Sequence, residues 1–407
     1  MPFHGVSAMD LKIEFVCLAS VEGANVRSLC RRFGISPTTG YKWLERYRAL
    51  GQAGLEEASR RPLSSPWRSP ARLEKAVLAV RAAHPVWGGR KIAAVLERKG
   101  LDAPAPSTVT AILRRHGVEI GAHGGGAKPF VRFEHAAPND LWQMDFKGHV
   151  GMADGQRLHP LTILDDHSRY CLTLGAAENQ RTATVRGFLT TAFRRYGLPR
   201  ALITDNGAPW GDGPGSPYTP LGVFLIDQGI AISHSRPYHP QTMGKDERFH
   251  RSLKAEALSG PPFADLEMAS RKLAVWREVY NRERPHEGIG MAVPADRYAA
   301  SQREYRETIK PFDYAPGDAL RMVQSGGRIS FVGRQIRVPK AFAGRQIALR
   351  ATNQDGCYEV FYRHQRIASL DLRAEKGDAQ PVHHVSEQVS TISPVGTPLW
   401  GGSAREA

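Results

Sequence analysis

Apolar side chains recur every three or four positions over residues 10–50 and again over 72–117, and from about residue 139 the repeat shortens to two. The first stretch predicts three short helices. "DLKIEFVCLAS" sets Leu11, Phe15 and Leu18 at helical spacing, and "NVRSLCRRFG" turns Val26, Leu29 and Phe33 inward before Gly34. In "SPTTGYKWLERYRALG", Ser36 can cap, Pro37 suits the first helical position and Gly51 follows the end. Helix, Gly-containing turn, then basic aromatic helix is the order of a helix-turn-helix, here over 1–55. Its third helix would offer Thr38, Thr39, Lys42, Arg46 and Arg48 to phosphates and base edges. A three-helix protein-binding module is the plainer alternative; the local charge favours DNA.

A second trihelical DNA-binding unit is expected over 71–120, from "RLEKAVLAVRAAH", "WGGRKIAAVLERKG" and "APSTVTAILRRHG". Ser107 is its candidate cap, and Arg90, Lys91, Arg114 and Arg115 stay outside. Residues 56–70, dense in Ser, Pro and Arg, form an extended linker between the two units. The Gly-rich 121–134 is a hinge.

Residues 135–300 change character. "DLWQMDFKGHVGM", "RLHPLTILDD" and "RYCLTLGAA" are strand candidates at hairpin spacing, followed by a helix, "TATVRGFLTTAFRRYG". The strand "ALIT" then ends at Asp205, and a Gly/Pro-rich loop leads to a helix near "LGVFLIDQG" and the strand "IAISHS". Another helix starts at about Thr242, and a last one aligns Leu266, Leu273, Trp276 and Tyr280. That order describes a mixed α/β domain. Six short strand-like pieces in 301–372 read as a small β-barrel, and 373–407 lacks periodicity and reads as a disordered tail. The expected fold is multidomain: N-terminal all-α helix-turn-helix units, an α/β core and a small C-terminal β-barrel.

Charge narrows the partner. With 55 Lys/Arg against 40 Asp/Glu, the 407 residues sum to +15, which suits nucleic acid better than a membrane. Residues 1–128 hold 20 Lys/Arg against 10 Asp/Glu, whereas 129–300 hold 20 against 19. The front is therefore the electrostatic footprint, and the middle spends its acids on something specific. Cys17, Cys30, Cys171 and Cys357 are scattered without a C-x-x-C, which disfavours a disulfide framework or structural zinc. No signal peptide and no apolar run near 18 residues is evident, so the expected location is the bacterial cytoplasm.

Three acids stand out. Asp145 lies mid-strand in "LWQMDF", where a charge is expensive without a partner. Asp205 ends a strand before Asn206 and Gly207, and Glu247 opens the helix after the last strand. Carboxylates brought together stay ionised only around cations, and an oxygen-only set favours Mg²⁺ or Mn²⁺, here two ions serving displacement at phosphorus. On that helix Asp246 shares a stripe with Phe249, Leu253 and Ala257, while Glu247 groups with His250, Arg251 and Lys254. Glu247 is the catalytic choice; Asp246 serves the helix N-terminus. Arg236, Lys245, Arg248, Arg251 and Lys254 are candidate phosphate contacts, with solvated charge as the alternative. Tyr238 and His239 suit DNA contact or packing equally, Asn206 suits the metal site or a turn, and Cys171 is a buried strand residue. Asp165 and Asp166 fit a salt bridge with Arg169, or a strand-end turn, better than metal ligation.

The blocks "WQMDF", "ITDNG" and "HPQTMGKDERFHRSLK" jointly resemble the three motifs of the retroviral-integrase superfamily, and more closely those of DDE-type insertion-sequence transposases. The leading helical units, "ILDDHSRY", "YNRERPHEGIGMAVPADRY" and the C-terminal strands extend the likeness over most of the sequence. The resemblance implies an RNase H-like integrase core with Asp145, Asp205 and Glu247 as catalytic acids and metal ligands. It further implies metal-dependent cleavage and transfer of double-stranded DNA by a homo-oligomer. The spacing from the second to the third acid is longer than usual for the family, and the loop at 207–220 can take up the excess. A retired transposase acting as a DNA-binding regulator, and an RNase H-like nuclease without strand transfer, are the other classes.

Overall fold

The computed structural model describes residues 7–57, 68–119, 134–211, 217–234, 244–374 and 378–381. Residue contacts divide the protein into two units, Met1–Ser69 and Pro70–Ala407.

The first unit contains α1 (Ala8–Ala19), α2 (Val26–Arg32) and α3 (Pro37–Leu50), closed by a 3₁₀ turn, Gly51–Leu55. Ser7 and Asp10 form a capping box on α1, and Ser36 accepts the Thr39 N–H on α3 at 3.2 Å. Phe15, Val16, Ala19, Cys30, Leu44 and Leu55 make the core. Leu11 and Leu18, expected inside, are 44% and 36% exposed. The partners of α1 cover only the stripe centred on Phe15, so the flanking leucines stay wet. Gly40 lets α3 approach: a Cβ there would lie 2.3 Å from Cys30 Sγ and 2.8 Å from Phe15 Cζ.

The second unit starts with α4 (Ala71–Ala83), α5 (Gly89–Arg98) and α6 (Pro106–Arg115), packed around Val77, Trp87, Ile92, Leu96, Val109 and Ile112. The cap position of α6 is Ala105 with Pro106 after it, rather than Ser107. Arg115 and His116 pair with buried Glu74, the latter at 2.8 Å.

The strands β1 (Leu141–Phe146), β2 (Val150–Gly151), β3 (Arg157–Asp165), β4 (Cys171–Ala177), β5 (Ala201–Thr204) and β6 (Ala231–His234) form one mixed sheet. β3 runs antiparallel to β4 and β1; β1 to β5 and β5 to β6 are parallel. Helices α7 (Thr182–Tyr196) and α8 (Pro220–Asp227) share a core with Trp142, Met144, Leu161 and Ile163. A second core gathers Leu164, Cys171 and Leu174 with α9 (Gly244–Leu253) and α10 (Leu266–Arg282), through Phe249, Leu253, Leu273, Trp276 and Tyr280. Asn281 exchanges hydrogen bonds with the Cys171 backbone, 2.8 Å from its N–H and 3.0 Å to its C=O, which pins α10 to β4. Arg98 of α5 donates to both oxygens of Asp296, at 2.5 and 2.8 Å, tying the trihelical segment to the residues that follow α10.

The C-terminal strands are β7 (Ala319–Met322), β8 (Arg328–Phe331), β9 (Arg334–Arg337), β10 (Gln346–Ala351), β11 (Cys357–Tyr362), β12 (Gln365–Asp371) and β13 (Gln380–Pro381). They pair as a five-stranded sheet, β13-β12-β11-β10-β7, and a β8–β9 ribbon. The expected closed barrel is thus not formed by the strand pairings of the described residues. The ribbon is instead fastened at its margins, where the Ala379 N–H donates to the Arg337 C=O at 3.0 Å and Arg321 reaches the Ser330 C=O at 2.9 Å. The tail expected to be disordered from 373 contributes β13; residues 382–407 lie outside the described residues. This sheet shares the α7–α8 core, and Tyr362 donates to buried Asp227 of α8 at 2.5 Å, with Arg345 at 3.3 Å from the same carboxylate. Among the described residues no helix is long and apolar enough to cross a membrane.

Candidate active site

On β1, Trp142 and Met144 enter the α7–α8 core, so the pleat sends Gln143 and Asp145 to the opposite face. The register with β5 pairs Leu141 with Ala201 and Gln143 with Ile203, and β5 ends at Thr204, so Asp205 directly follows the neighbouring strand. Asp145, near the end of β1, feels the charge of Asp205 just past the end of β5.

Their protonation reflects this. Burial pushes Asp145 up to about 7, and the charges of Asp205 and Glu247 push the same way, against the Phe146 N–H and Lys147. Asp205 is also raised by burial, opposed by the Gly207 N–H, 3.1 Å from its Oδ1, and by His234. His234, at the end of β6, has Nδ1 2.9 Å from the Asp205 C=O and Nε2 3.0 Å from the Pro217 C=O, so it braces the strand end.

Helix α9 crosses this face. Asp246, Phe249 and Leu253 are buried, and Glu247, Arg248, Arg251 and Lys254 are exposed, with Lys254 in a π turn (Lys254–Leu258) that continues the helix. His250, grouped with Glu247 from sequence, is 8% exposed. At 100° per residue it lies about 40° from Asp246 and about 60° from Glu247, so the inward stripe claims it. Its Nε2 is 3.0 Å from Thr162 Oγ1 and its Nδ1 3.8 Å from Asp145 Oδ2. Burial, then Lys147, pushes His250 down to about 4.

Asp246 does more than face a helix N-terminus. It is fully buried, neither carboxyl oxygen has a hydrogen-bond partner among the described residues, and burial, then Asp145 and Asp166, raises its pKa well above the usual range. Lys245 turns inward to Asp166, which also accepts from Gln143 at 2.7 Å and the His135 N–H at 2.9 Å. Asp165 accepts from the Ser168 N–H and hydroxyl at 2.8 and 2.5 Å and the Asn139 N–H at 2.7 Å, a strand-end turn. Arg169 goes to Glu134 at 2.9 Å.

Of the other candidates, Thr38, Lys42 and Arg48 are exposed and Thr39 and Arg46 half-buried in the first unit. Arg90 is exposed but 3.6 Å from Glu287. Lys91 is half-buried and pushed down to about 8, by burial first and then by Arg284. Arg236, Tyr238 and His239 lie outside the described residues. Sequence reasoning passed over His250, Thr162 and His234. Only His250 carried a signal, its place on the inward stripe of α9.

Among the described residues no three acidic, His or Cys side chains stand close enough to hold a metal as they are. The chemistry nevertheless fits a hard divalent cation: two carboxylates at one sheet edge, with a third charge felt at the first, gain most when positive charge lies between them.

The domains have counterparts. Residues 135–240 and 228–294 match integrase core domains, 11–62 a helix-turn-helix domain, 39–113 a homeodomain-like domain, and 318–378 the C-terminal domain of IS481 family transposases. A protein of insertion element IS407 from Burkholderia multivorans is 26% identical over 221 residues, 53% of the present sequence and 76% of its own. One of insertion element IS476 from Xanthomonas euvesicatoria is 30% identical over 178 residues, 43% of the present sequence and 49% of its own. A solved HTLV-2 integrase catalytic core in complex with magnesium aligns with 40% of the present protein and 99% of its own length at 15% identity, TM-score 0.32. The matched segments give the protein integrase core domains preceded by helix-turn-helix and homeodomain-like segments. More particularly, it has the domain set of an insertion-sequence transposase, ending in the C-terminal domain of the IS481 family.

Proposed function

We propose that the protein cleaves DNA at the ends of its own mobile element and joins the freed ends to target DNA, with Asp145, Asp205 and Glu247 as the catalytic acids. The place of Asp145 near the end of β1, with Asp205 just past the end of neighbouring β5, and the effects of Asp205 and Glu247 on Asp145 support this reading. These three side chains would hold divalent cations, Mg²⁺ or Mn²⁺, which when bound ease deprotonation of the attacking oxygen and stabilise the leaving one.

In the first reaction water attacks a phosphodiester, a P–O bond breaks, and a 3′-hydroxyl is released. In the second that hydroxyl attacks a target phosphodiester, forming a new P–O bond as the P–O bond to the target's 3′-oxygen breaks, and the target strand leaves with a 3′-hydroxyl. Arg251 and Lys254, exposed on the same flank as Glu247, and Arg248, exposed next to it in sequence, hold the DNA backbone and bring its phosphorus to the acids. Arg236 serves the same strand, whereas Lys245 is committed to Asp166. Thr38, Thr39, Lys42 and Arg46, with Arg90 and Lys91 in the second trihelical segment, recognise the element ends. Two ends must be held together, so a homo-oligomer on DNA is the working form.

Asp205→Asn is the direct test. It should leave end binding intact and abolish strand joining in a Mg²⁺-containing assay with end-sequence duplexes. Normal joining by that variant would end the catalytic assignment.

A further inference from the structure

We infer that His250 is a further ligand of the divalent cation at this site, so that the donor set combines carboxylate oxygens with an imidazole nitrogen. The inference rests on the reading of Asp145 as a cation ligand. It starts from the single hydrogen of the Thr162 hydroxyl. That hydroxyl lies 3.0 Å from the backbone C=O of Asp145 and 3.0 Å from Nε2 of His250. With the hydroxyl hydrogen on that carbonyl, Thr162 accepts from His250. That arrangement puts the ring proton on Nε2.

A neutral imidazole with its proton on Nε2 has a lone pair on Nδ1. Nδ1 faces Asp145 Oδ2 at 3.8 Å, beyond hydrogen-bond length, and no other donor among the described residues meets it. Two lone-pair atoms thus converge on one space from β1 and α9. The ring is 8% exposed and cannot swing to solvent without leaving the core.

The surroundings favour a cation. Fully buried Asp246 lies within the field of Asp145, and neither of its oxygens is hydrogen-bonded among the described residues. A metal-binding His usually donates its other N–H to an oxygen that fixes ring and tautomer. Thr162 has that place, and its hydroxyl also fastens the backbone of the first carboxylate. One hydroxyl orients both donors. A nitrogen in the set tilts preference from Mg²⁺ towards Mn²⁺.

The test loads the full-length protein with Mn²⁺ and records electron spin-echo envelope modulation, in which a directly bound imidazole gives a ¹⁴N signal. That signal is expected in the native protein and should vanish in His250→Gln, with Mn²⁺ affinity falling about 10- to 100-fold. Mn²⁺ bound in an Asp145-dependent way without nitrogen modulation would overturn the assignment of His250. Modulation that persists in His250→Gln would overturn it equally. Should His250→Gln not fold, the native spectrum still decides. If Asp145→Asn leaves Mn²⁺ binding unchanged, the underlying reading of the site has failed instead.

Discussion

Asp145, near the end of β1, feels the charge of Asp205, which directly follows the neighbouring parallel strand β5. Asp205→Asn should lower the Asp145 pKa from about 7, yet not to the ordinary value, because burial is the larger cause and remains. Carboxyl-carbon NMR titration of the metal-free protein reads this directly. An unmoved Asp145 would mean that the acids do not share a field. The linkage has a sign: a carboxyl whose folded pKa exceeds its unfolded one favours the protonated native state. Metal-free stability from this group is therefore lost as pH rises from about 4 to about 7.

Arg251 and Lys254 stand exposed on the flank of Glu247, and Arg248 stands exposed next to it in sequence. Alanine at each should weaken DNA binding uniformly across sequences and reduce the slope of log K against log salt by about 1 per residue. Anisotropy titrations at several salt concentrations measure that slope. An unchanged slope in the triple variant would remove the helix from the DNA path.

His286 sits against Tyr280, ring centroids 4.6 Å apart, with Nε2 buried and without a hydrogen-bond partner among the described residues. Burial, then Arg284 and Lys91, holds its pKa well below the ordinary value. The native state excludes a proton that the unfolded state takes up below about 6.5, so stability should fall as pH drops from there. His286→Gln should flatten that fall by up to about 1.4 kcal/mol per pH unit. Denaturant melts at pH 7 and pH 5 compare the slopes.

Gly40 gives α3 its close seat on Cys30 and Phe15. Gly40→Val should destabilise the first unit by about 1–3 kcal/mol, despite the better helix propensity of Val. Circular dichroism melts of the full-length protein should show an earlier transition with the other unit unchanged.

Much of the core was legible because its strands are short, apolar and fenced by Gly and Pro, and because Asp145 and Asp205 stand where such strands carry or end a charge. The neighbouring places of those acids needed only the pairing of β1 with β5. Less legible was anything decided by which surface a neighbour covers. Leu11 and Leu18 fit a helical face, yet α2 and α3 cover only the stripe beside it. His250 looked polar by type, whereas its angle on α9 put it inside. The strand β13 is two residues long and has no period of its own; pairing with β12 defines it. Lys245 reads as a phosphate contact until Asp166, 79 positions earlier, is folded beneath it.

The grip of Tyr362 and Arg345 on Asp227 bears on how this protein can be dissected. A fragment stopped near residue 300 would strand that carboxylate under α8 and strip the apolar underside of the helix that leads into β6. His234, which steadies the Asp205 end of β5, stands at the far end of β6. Trimming the distal strands would therefore blunt chemistry at a distance, and an inert truncated piece would testify to a loosened scaffold before it testified to a missing DNA contact.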